Sequence, residues 1–144
     1  METVIYGAGV MAQLTKEAVE KSGNSVLAMI YSLVNLYYEY LKTFDKKCDV
    51  IIDFSHFTSL EDILEYAVDN KTPVIIATTG HTKEQTDKIL KASSEIPILK
   101  TTNTSLGVSI VNEILSYATK LLRGFDIELI EKHHNRKIDA PSGT

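Results

Sequence analysis

A glycine loop follows the first apolar run of this chain and narrows the range of folds more than any other segment. Residues 3–6 are β-branched and aromatic, which predicts a buried strand. The next six residues, Gly7-Ala8-Gly9-Val10-Met11-Ala12, fit the pattern G-x-G-x-x-A and lead into a segment of helical spacing. Gly7 would permit a tight turn, Gly9 would let a pyrophosphate approach the backbone, and Ala12 would let the helix pack on the strand. The N–H groups of that helix N-terminus would then face the phosphates of a dinucleotide.

The second predicted strand lacks a residue that dinucleotide sites usually have. An acidic side chain about 20 residues after the glycines commonly binds the ribose hydroxyls. Here the strand at residues 25–30 is followed by Tyr31 and Ser32, and no arginine stands there for a 2′-phosphate. The pattern therefore predicts a nicotinamide dinucleotide and leaves NADH and NADPH open. A simple tight turn in an α/β fold is the alternative interpretation of the glycine loop alone.

Apolar runs alternate with segments of helical spacing along the chain. The sequence predicts strands at residues 3–6, 25–30, 50–54, 73–77, 96–99 and 126–132. It predicts helices at residues 10–21, 36–44, 58–69, 82–93 and 108–122. Because helices alternate with continuously apolar strands, we expect an α/β fold, a Rossmann-type doubly wound parallel sheet with helices on both faces.

Local signals mark several helix ends. Gly23 is typical of a helix C-terminus, so the first helix should end just before it. Thr58 and Thr82 precede predicted helices and are followed three residues later by Glu61 and Gln85, which predicts a capping box at both N-termini.

Composition excludes several classes of function. The chain of 144 residues is 44% apolar and 24% charged, the mix of a soluble globular protein. Its net charge of −4 argues against nucleic acid as a partner. No apolar run reaches the ~18 residues of a membrane span, so no membrane partner is expected. Cys48 is the only cysteine, which excludes an internal disulfide and favours the cytoplasm.

Two adjacent histidines lie in a basic segment near the end of the chain. His133 and His134 are flanked by Lys132, Arg136 and Lys137. Histidine titrates near neutrality and can act as a general acid or base. In an extended segment neighbours point to opposite faces, so the two histidines cannot share one job and make a poor metal site. No metal is predicted, and a solvated basic surface is the alternative to catalysis.

The residues that follow strengthen the catalytic interpretation. The stretch Asp139-Ala140-Pro141-Ser142-Gly143-Thr144 reads as a turn into a helix. Backbone N–H groups at Gly143 and Thr144 would form an anion site, with Arg136 and Lys137 beside it. Together with a dinucleotide site, this suggests hydride transfer to a substrate with carboxylates, completed by protonation.

This second segment resembles the signature E-x-H-H-x-x-K-x-D-A-P-S-G-T of the 4-hydroxy-tetrahydrodipicolinate reductase family. The matching residues are Glu131, His133, His134, Lys137, Asp139, Ala140, Pro141, Ser142, Gly143 and Thr144. Residues 49–55, 77–80 and 102–107 resemble further family segments in the same order, although Ala77 replaces the usual Gly and Thr104 a usual larger apolar residue. The resemblance extends from Thr3 to Thr144.

The resemblance implies reduction of a cyclic imine dicarboxylate by NADH or NADPH in bacterial lysine and diaminopimelate synthesis. It implies that His133 is the general acid that protonates the ring carbon and that Lys137 is the second catalytic residue. His134, Gly143 and Thr144 would hold the substrate. The cofactor-binding residues that it implies are Gly7, Ala8, Gly9, Val10, Met11, Ala12, Ala77, Thr78, Thr79, Thr101, Thr102, Asn103 and Thr104. Taken singly, Asp53, His56 and His81 are interpreted as ordinary strand-end and loop residues.

The resemblance also divides the chain. Residues 1–105 would be the dinucleotide-binding domain, and residues 106–144 the first helix and strand of a truncated, incomplete α+β substrate and oligomerisation domain. We expect a homo-oligomer: a tetramer in the family, and a dimer for a chain ending at Thr144, whose 108–122 helix would be left partly uncovered. Such a polypeptide is expected to bind the cofactor weakly and to have little or no turnover. A nucleotide-binding module without catalysis is the alternative function.

Overall fold

The computed structural model describes residues 1–30, 44, 46–130, 132 and 135. Backbone contacts divide the chain into two compact units, Met1–Lys100 and Thr101–Thr144. The first unit contains a sheet covered by helices, and the described part of the second unit contains a long helix. Among the described helices, none combines the length and hydropathy needed to cross a bilayer.

The first unit is built on a five-stranded sheet in which every pairing is parallel. Its strands are β1 Glu2–Tyr6, β2 Ser25–Ile30, β3 Val50–Asp53, β4 Val74–Ile76 and β5 Ile98–Lys100, in the spatial order β2-β1-β3-β4-β5. The chain adds β2 on one side of β1 and then β3, β4 and β5 on the other side. The strand order therefore reverses between β1 and β3. The α/β, Rossmann-type doubly wound sheet predicted from the sequence is confirmed.

The described residues of the first unit include three α-helices: α1 Val10–Lys21, α2 Leu60–Asn70 and α3 Lys83–Ala92. Crossovers between parallel strands are almost always right-handed, and β2 lies on the opposite side of β1 from β3, β4 and β5. The rule therefore predicts α1 on one face of the sheet and α2 and α3 on the other. The end of α1 follows the prediction. Gly23 has a φ of 76°, and its N–H donates to the Glu20 carbonyl at 3.0 Å, which is a glycine C-cap.

Apolar side chains from the strands and from α2 form the core of this unit. Val4, Ile51, Ile63 and Ile76 are fully buried or nearly so. One polar link crosses this core, because the Tyr6 hydroxyl donates to Asp62 Oδ2 at 2.7 Å and joins β1 to α2.

Tyr6→Phe is expected to lower the free energy of unfolding by about 1–3 kcal/mol, because it removes a buried hydrogen bond to a carboxylate without changing shape. Urea-induced unfolding measures this loss. Tyr117→Phe is the matched control, since the Tyr117 side chain is exposed. An equal change in the two variants would contradict a stabilising role for the Tyr6–Asp62 bond.

The capping box predicted at Thr82 is confirmed, and the one predicted at Thr58 is wrong. The Gln85 N–H donates to Thr82 Oγ1 at 3.2 Å, and the Thr82 N–H donates to Gln85 Oε1 at 3.1 Å. Residues Phe57–Ser59 instead form a 3-10 turn, and α2 begins at Leu60 without a side-chain cap. The Thr58 hydroxyl lies 3.0 Å from His56 Nδ1, so it is engaged locally and does not cap the helix.

The second unit contains α4 Leu106–Leu121, two residues longer at its N-terminus than predicted. Its apolar residues Ile110, Val111 and Ile114 are exposed. The strand predicted at 126–132 is wrong over the residues that the structure describes, because 126–130 and 132 form no strand. A strand requires a hydrogen-bonded neighbour, and the described part of this unit supplies none. The helix predicted at 36–44 lies almost wholly outside the described residues.

Candidate dinucleotide-binding site

Strand register brings several candidate residues to one edge of the sheet. Tyr6 pairs with Asp53, Asp53 pairs with Ile76, and Ile76 pairs with Lys100. The carboxyl ends of the four neighbouring strands β1, β3, β4 and β5 are therefore aligned. In open α/β sheets, ligands bind beyond these ends, at the point where the strand order reverses. The glycine loop lies at that point, and the loop after β4 lies along the same edge.

Gly7 is clamped between the ends of two neighbouring strands. Its N–H donates to the Ile30 carbonyl at 2.7 Å, and its φ is 135°. A Cβ at this position would lie 2.5 Å from the Phe54 carbonyl oxygen and 2.9 Å from the Phe54 carbonyl carbon. Both the conformation and the space therefore require glycine, as predicted for a tight turn.

Gly9 and Ala12 serve the two other roles expected of the pattern. Gly9 is the N-cap of α1, and a Cβ added there would meet no atom within 4 Å, so the space before its backbone is open. Ala12 is fully buried, and its Cβ lies 3.4 Å from where a Cβ at Gly7 would be. Only a small side chain fits there. The N-terminus of α1 is thus exposed to a ligand while its first turn packs closely on β1.

The loop after β4 is held by contacts on both sides. The Ala77 N–H donates to the Asp53 carbonyl at 3.0 Å, and Thr78 is buried. Gly80 has a φ of 83° and faces the Phe57 ring, which would lie 3.4 Å from an added Cβ. The Gln85 side chain of α3 donates to the Phe57 carbonyl at 2.8 Å and ties this turn to the helix. Ala77, Thr78 and Thr79 therefore have a fixed path along the edge.

Asp53 ends β3 as a turn residue and is almost completely buried. Its Oδ1 accepts hydrogen bonds from the Ser55 N–H at 2.9 Å and from the Ser55 hydroxyl at 2.5 Å. Burial raises the pKa of the Asp53 carboxyl above its usual range, and the two Ser55 hydrogen bonds oppose the rise. The carboxyl group fixes the start of the segment that abuts Gly7.

Asp53→Asn is expected to stabilise the fold at neutral pH and to lose that advantage in acid. Because burial raises the pKa of Asp53, the folded state binds its proton more tightly than the unfolded state, so ionisation above that pKa costs stability. Asparagine keeps an Oδ1 acceptor for Ser55 and has no charge to desolvate. Urea-induced unfolding at neutral and acidic pH tests this, with the exposed Asp87→Asn as control. A destabilised Asp53→Asn at neutral pH would show that the charge itself is needed.

The predicted residues Thr101, Thr102, Asn103 and Thr104 belong to the second unit, where they form the turn before α4. The Thr101 hydroxyl donates to the Asn103 carbonyl at 2.8 Å. Asn103 Oδ1 accepts from the Ser105 N–H at 2.7 Å, and Ser105 Oγ accepts from the Val108 N–H at 3.3 Å. These bonds start the helix.

The predicted catalytic and substrate-binding residues, His133, Lys137, His134, Gly143 and Thr144, lie outside the described residues. Tyr31 and Ser32, which bear on the choice between NADH and NADPH, lie outside them as well.

Two residues that the sequence analysis gave no role also lie at this edge. Lys100 ends β5, and His81 follows the Gly80 turn in the loop after β4. Each residue lies shortly after the apolar part of a predicted strand. Because parallel strands end together at the ligand-binding edge, this position in the sequence could have identified both residues as candidates for that edge.

Comparison with known proteins agrees with this geometry. Residues 1–104 match the family described as dihydrodipicolinate reductase, N-terminus, and residues 107–144 match dihydrodipicolinate reductase, C-terminus. A 4-hydroxy-tetrahydrodipicolinate reductase of Brachyspira hyodysenteriae is 41% identical over 145 residues, which cover 100% of this chain and 58% of the relative. A protein of the same name from a species of Exiguobacterium is 39% identical over 144 residues, again 100% of this chain and 58% of the relative.

A third relative of that name, from Campylobacter fetus, is 50% identical over 104 residues, or 72% of this chain and 41% of the relative. The chain thus spans 58% of the length of the first two relatives. Since both family profiles match in order and the relatives align along its full length, the chain belongs to the dihydrodipicolinate reductase family.

Proposed function

We propose that this protein reduces 4-hydroxy-tetrahydrodipicolinate to tetrahydrodipicolinate with NADH or NADPH, in bacterial diaminopimelate and lysine synthesis. The observation that carries the proposal is the clamped Gly7 followed by the open backbone at Gly9, at the point where the strand order reverses. The names of its relatives supply the reaction. NADH or NADPH supplies the hydride when bound.

The residues of the first unit would bind and orient the dinucleotide. The backbone at Gly7–Gly9 and the N-terminus of α1 suit a pyrophosphate, because they offer N–H groups and a partial positive charge. Ala77, Thr78 and Thr79 would continue the groove along the same edge of the sheet. The resemblance assigns cofactor binding to residues 101–104 as well.

The signature segment would carry the proton chemistry. The reduction breaks the bond between the ring and the 4-hydroxyl group, which leaves as water, and adds one hydride from NADH or NADPH and one proton to the ring. His133 would give that proton to the ring carbon, and Lys137 would act as proton donor and carboxylate partner. His134 and the backbone N–H groups of Gly143 and Thr144 would hold the carboxylates. Neighbouring residues of any extended segment point to opposite faces, which is why we assign different tasks to the two histidines.

Residues 1–105 would then be the dinucleotide-binding domain and residues 106–144 the start of a substrate and oligomerisation domain. The exposed apolar residues of α4 suit a subunit interface, so we infer a homo-oligomer. The single cysteine favours a location in the cytoplasm. Light scattering tests the association, and a monomer at high concentration would count against it.

Titration with NADH and NADPH, followed by an assay of cofactor oxidation with fresh substrate, tests the function. We expect a polypeptide of these 144 residues alone to bind weakly and turn over little, because it spans 58% of its relatives. Binding without turnover, even in a preparation extended to the relatives' length, would favour a nucleotide-binding module without catalysis. No binding of either dinucleotide in the extended preparation would exclude both functions.

A further inference from the structure

The Gln85 side chain joins the loops that follow two neighbouring strands. Its Nε2 donates to the Phe57 carbonyl at 2.8 Å, in the loop after β3. Its Oε1 accepts from the Thr82 N–H at 3.1 Å, in the loop after β4. The two ends of one amide group therefore bind different loops. The opposite orientation of the amide would set N–H against N–H and oxygen against oxygen, so these partners fix the orientation.

Both of these loops lie at the edge where the dinucleotide is proposed to bind. The loop after β3 meets the glycine loop at its start, because the Phe54 carbonyl oxygen lies 2.5 Å from where a Cβ at Gly7 would be. It meets the loop after β4 at Phe57, whose ring lies 3.4 Å from where a Cβ at Gly80 would be. Residues 54–57 thus contact both proposed cofactor-binding loops, and Gln85 holds the far end of this segment.

Several contacts converge on Phe57, the residue that Gln85 holds. Its carbonyl oxygen also accepts from the Leu60 N–H, which places it in the 3-10 turn before α2. Its ring centroid lies 4.1 Å from that of the His56 ring. A shift of Phe57 would therefore disturb the start of α2 and the contact with Gly80 together. The bond from Gln85 fixes this residue relative to α3.

Residues 78–79 lie between two fixed points of the loop after β4. Before them, the Ala77 N–H is bound to the end of β3 at 3.0 Å. After them, the chain turns at Gly80, whose φ is 83°, against the Phe57 ring. The second point depends on Gln85, because Gln85 holds Phe57 in place. Loss of that bond would release one end of the segment and leave the other end fixed.

We propose that Gln85 is a positioning residue for the dinucleotide: its amide bridges the loops after β3 and β4 and so holds Thr78 and Thr79 in the conformation that binds the cofactor. Gln85 acts through Phe57 and Thr82 and does not need to touch the cofactor. The proposal rests on the proposed function, because it takes Thr78 and Thr79 as cofactor-binding residues. It gives the side chain a second task besides capping α3.

The first test needs no cofactor and measures the backbone order parameters of the isotope-labelled chain. Gln85→Met keeps the length of the side chain and removes both of its hydrogen bonds. We expect order parameters near about 0.85 for the amides of Thr79 and Gly80 in the wild type and below about 0.6 in the variant. The Ala77 amide, at the fixed end of the segment, should stay rigid in both. Equal values for Thr79 and Gly80 in the two proteins would overturn the proposal.

The second test measures NADH affinity. Gln85→Met is expected to raise the dissociation constant at least about fivefold, the lower end of typical coupling between linked sites. Thr82→Ala is the matched control, because it removes the hydroxyl that caps α3 and leaves the bridge to Phe57. It should lower the melting temperature by about 4 °C and keep the wild-type affinity. An equal loss of affinity in Thr82→Ala would show that Gln85 acts only as part of the cap and would refute the positioning role.

Gln85→Glu separates the bridge from the cap on the same side chain. Glutamate keeps an acceptor for the Thr82 N–H, as in other capping boxes, and has no N–H to donate to Phe57. At an ionic strength of about 1 M, where the Debye length is about 3 Å, the added charge is screened, so Gln85→Glu should bind NADH as weakly as Gln85→Met. Wild-type affinity in Gln85→Glu under these conditions would contradict the proposal. Absence of NADH binding by the wild-type chain would count instead against the proposed function, and the order parameters would still decide the role of Gln85.

Discussion

Gly7→Ala is expected to lower the free energy of unfolding by about 3–5 kcal/mol, a large part of the stability of a typical domain. The φ of 135° strains any residue with a side chain, and the new Cβ would lie 2.5 Å from the Phe54 carbonyl oxygen. That oxygen belongs to the backbone and cannot rotate away. Relief therefore requires β1 and β3 to separate at their ends. Urea-induced unfolding measures the loss, and a change below about 1 kcal/mol would show that the clamp is not rigid.

Gly9→Ala is the matched control for the same loop. Its φ of −72° suits alanine, and the added Cβ would meet no atom within 4 Å. We expect a stability change within about 1 kcal/mol, because alanine is only a poorer N-cap than glycine. NADH affinity should nevertheless fall, since the methyl group occupies the space that a pyrophosphate would use. Equal NADH affinity in Gly9→Ala and in the wild type would show that the pyrophosphate does not bind at this loop.

His133→Gln is expected to lower kcat by about 10²–10⁴-fold in a catalytically active reductase that carries this sequence, because general acid catalysis contributes about that much. Glutamine retains a polar side chain of similar reach and has no proton to give in this pH range. KM should change little if the proton is transferred only in the transition state.

The adjacent residue provides the control for this second experiment. His134→Gln is expected to raise KM for the substrate and to leave kcat closer to the wild-type value, since His134 is proposed to hold a carboxylate. Steady-state kinetics at saturating cofactor separates the two effects. A normal kcat in His133→Gln would remove that residue from the acid role, and a reversed pattern would exchange the two roles.

Elements with strong local signals were predicted well. The bounds of α1 at Val10–Lys21 and of β2 at Ser25–Ile30 agree with the prediction to the residue. Both predictions depend on signals that lie within the element or next to it. These are the spacing of the apolar residues and, for the end of α1, Gly23. The glycine loop is a further example, because the turn needs Gly7 for reasons already visible in the pattern G-x-G-x-x-A.

Features that depend on distant partners were not predictable in this way. The Thr58 cap failed because the hydroxyl lies against His56, and local spacing does not reveal such a contact. Residues 126–130 have the apolar character of a strand, yet a strand forms only where a neighbour pairs with it. Burial lowers the pKa of His81, while the charges of Lys100 and Asp53, which belong to other strands, act on it in opposite directions. Sequence alone placed His81 in a loop and could not show that its two ring nitrogens are buried.

The clamp on Gly7 ties ligand binding to the order in which the sheet assembles. The loop takes its conformation from the Ile30 carbonyl of β2 and from Phe54 beyond β3, so it exists only when β1 has both neighbours. A partly folded chain with one of these pairings has no site. A dinucleotide bound there therefore stabilises the fully paired sheet relative to every partly paired intermediate. By mass action, the melting temperature of the protein then depends on the cofactor concentration.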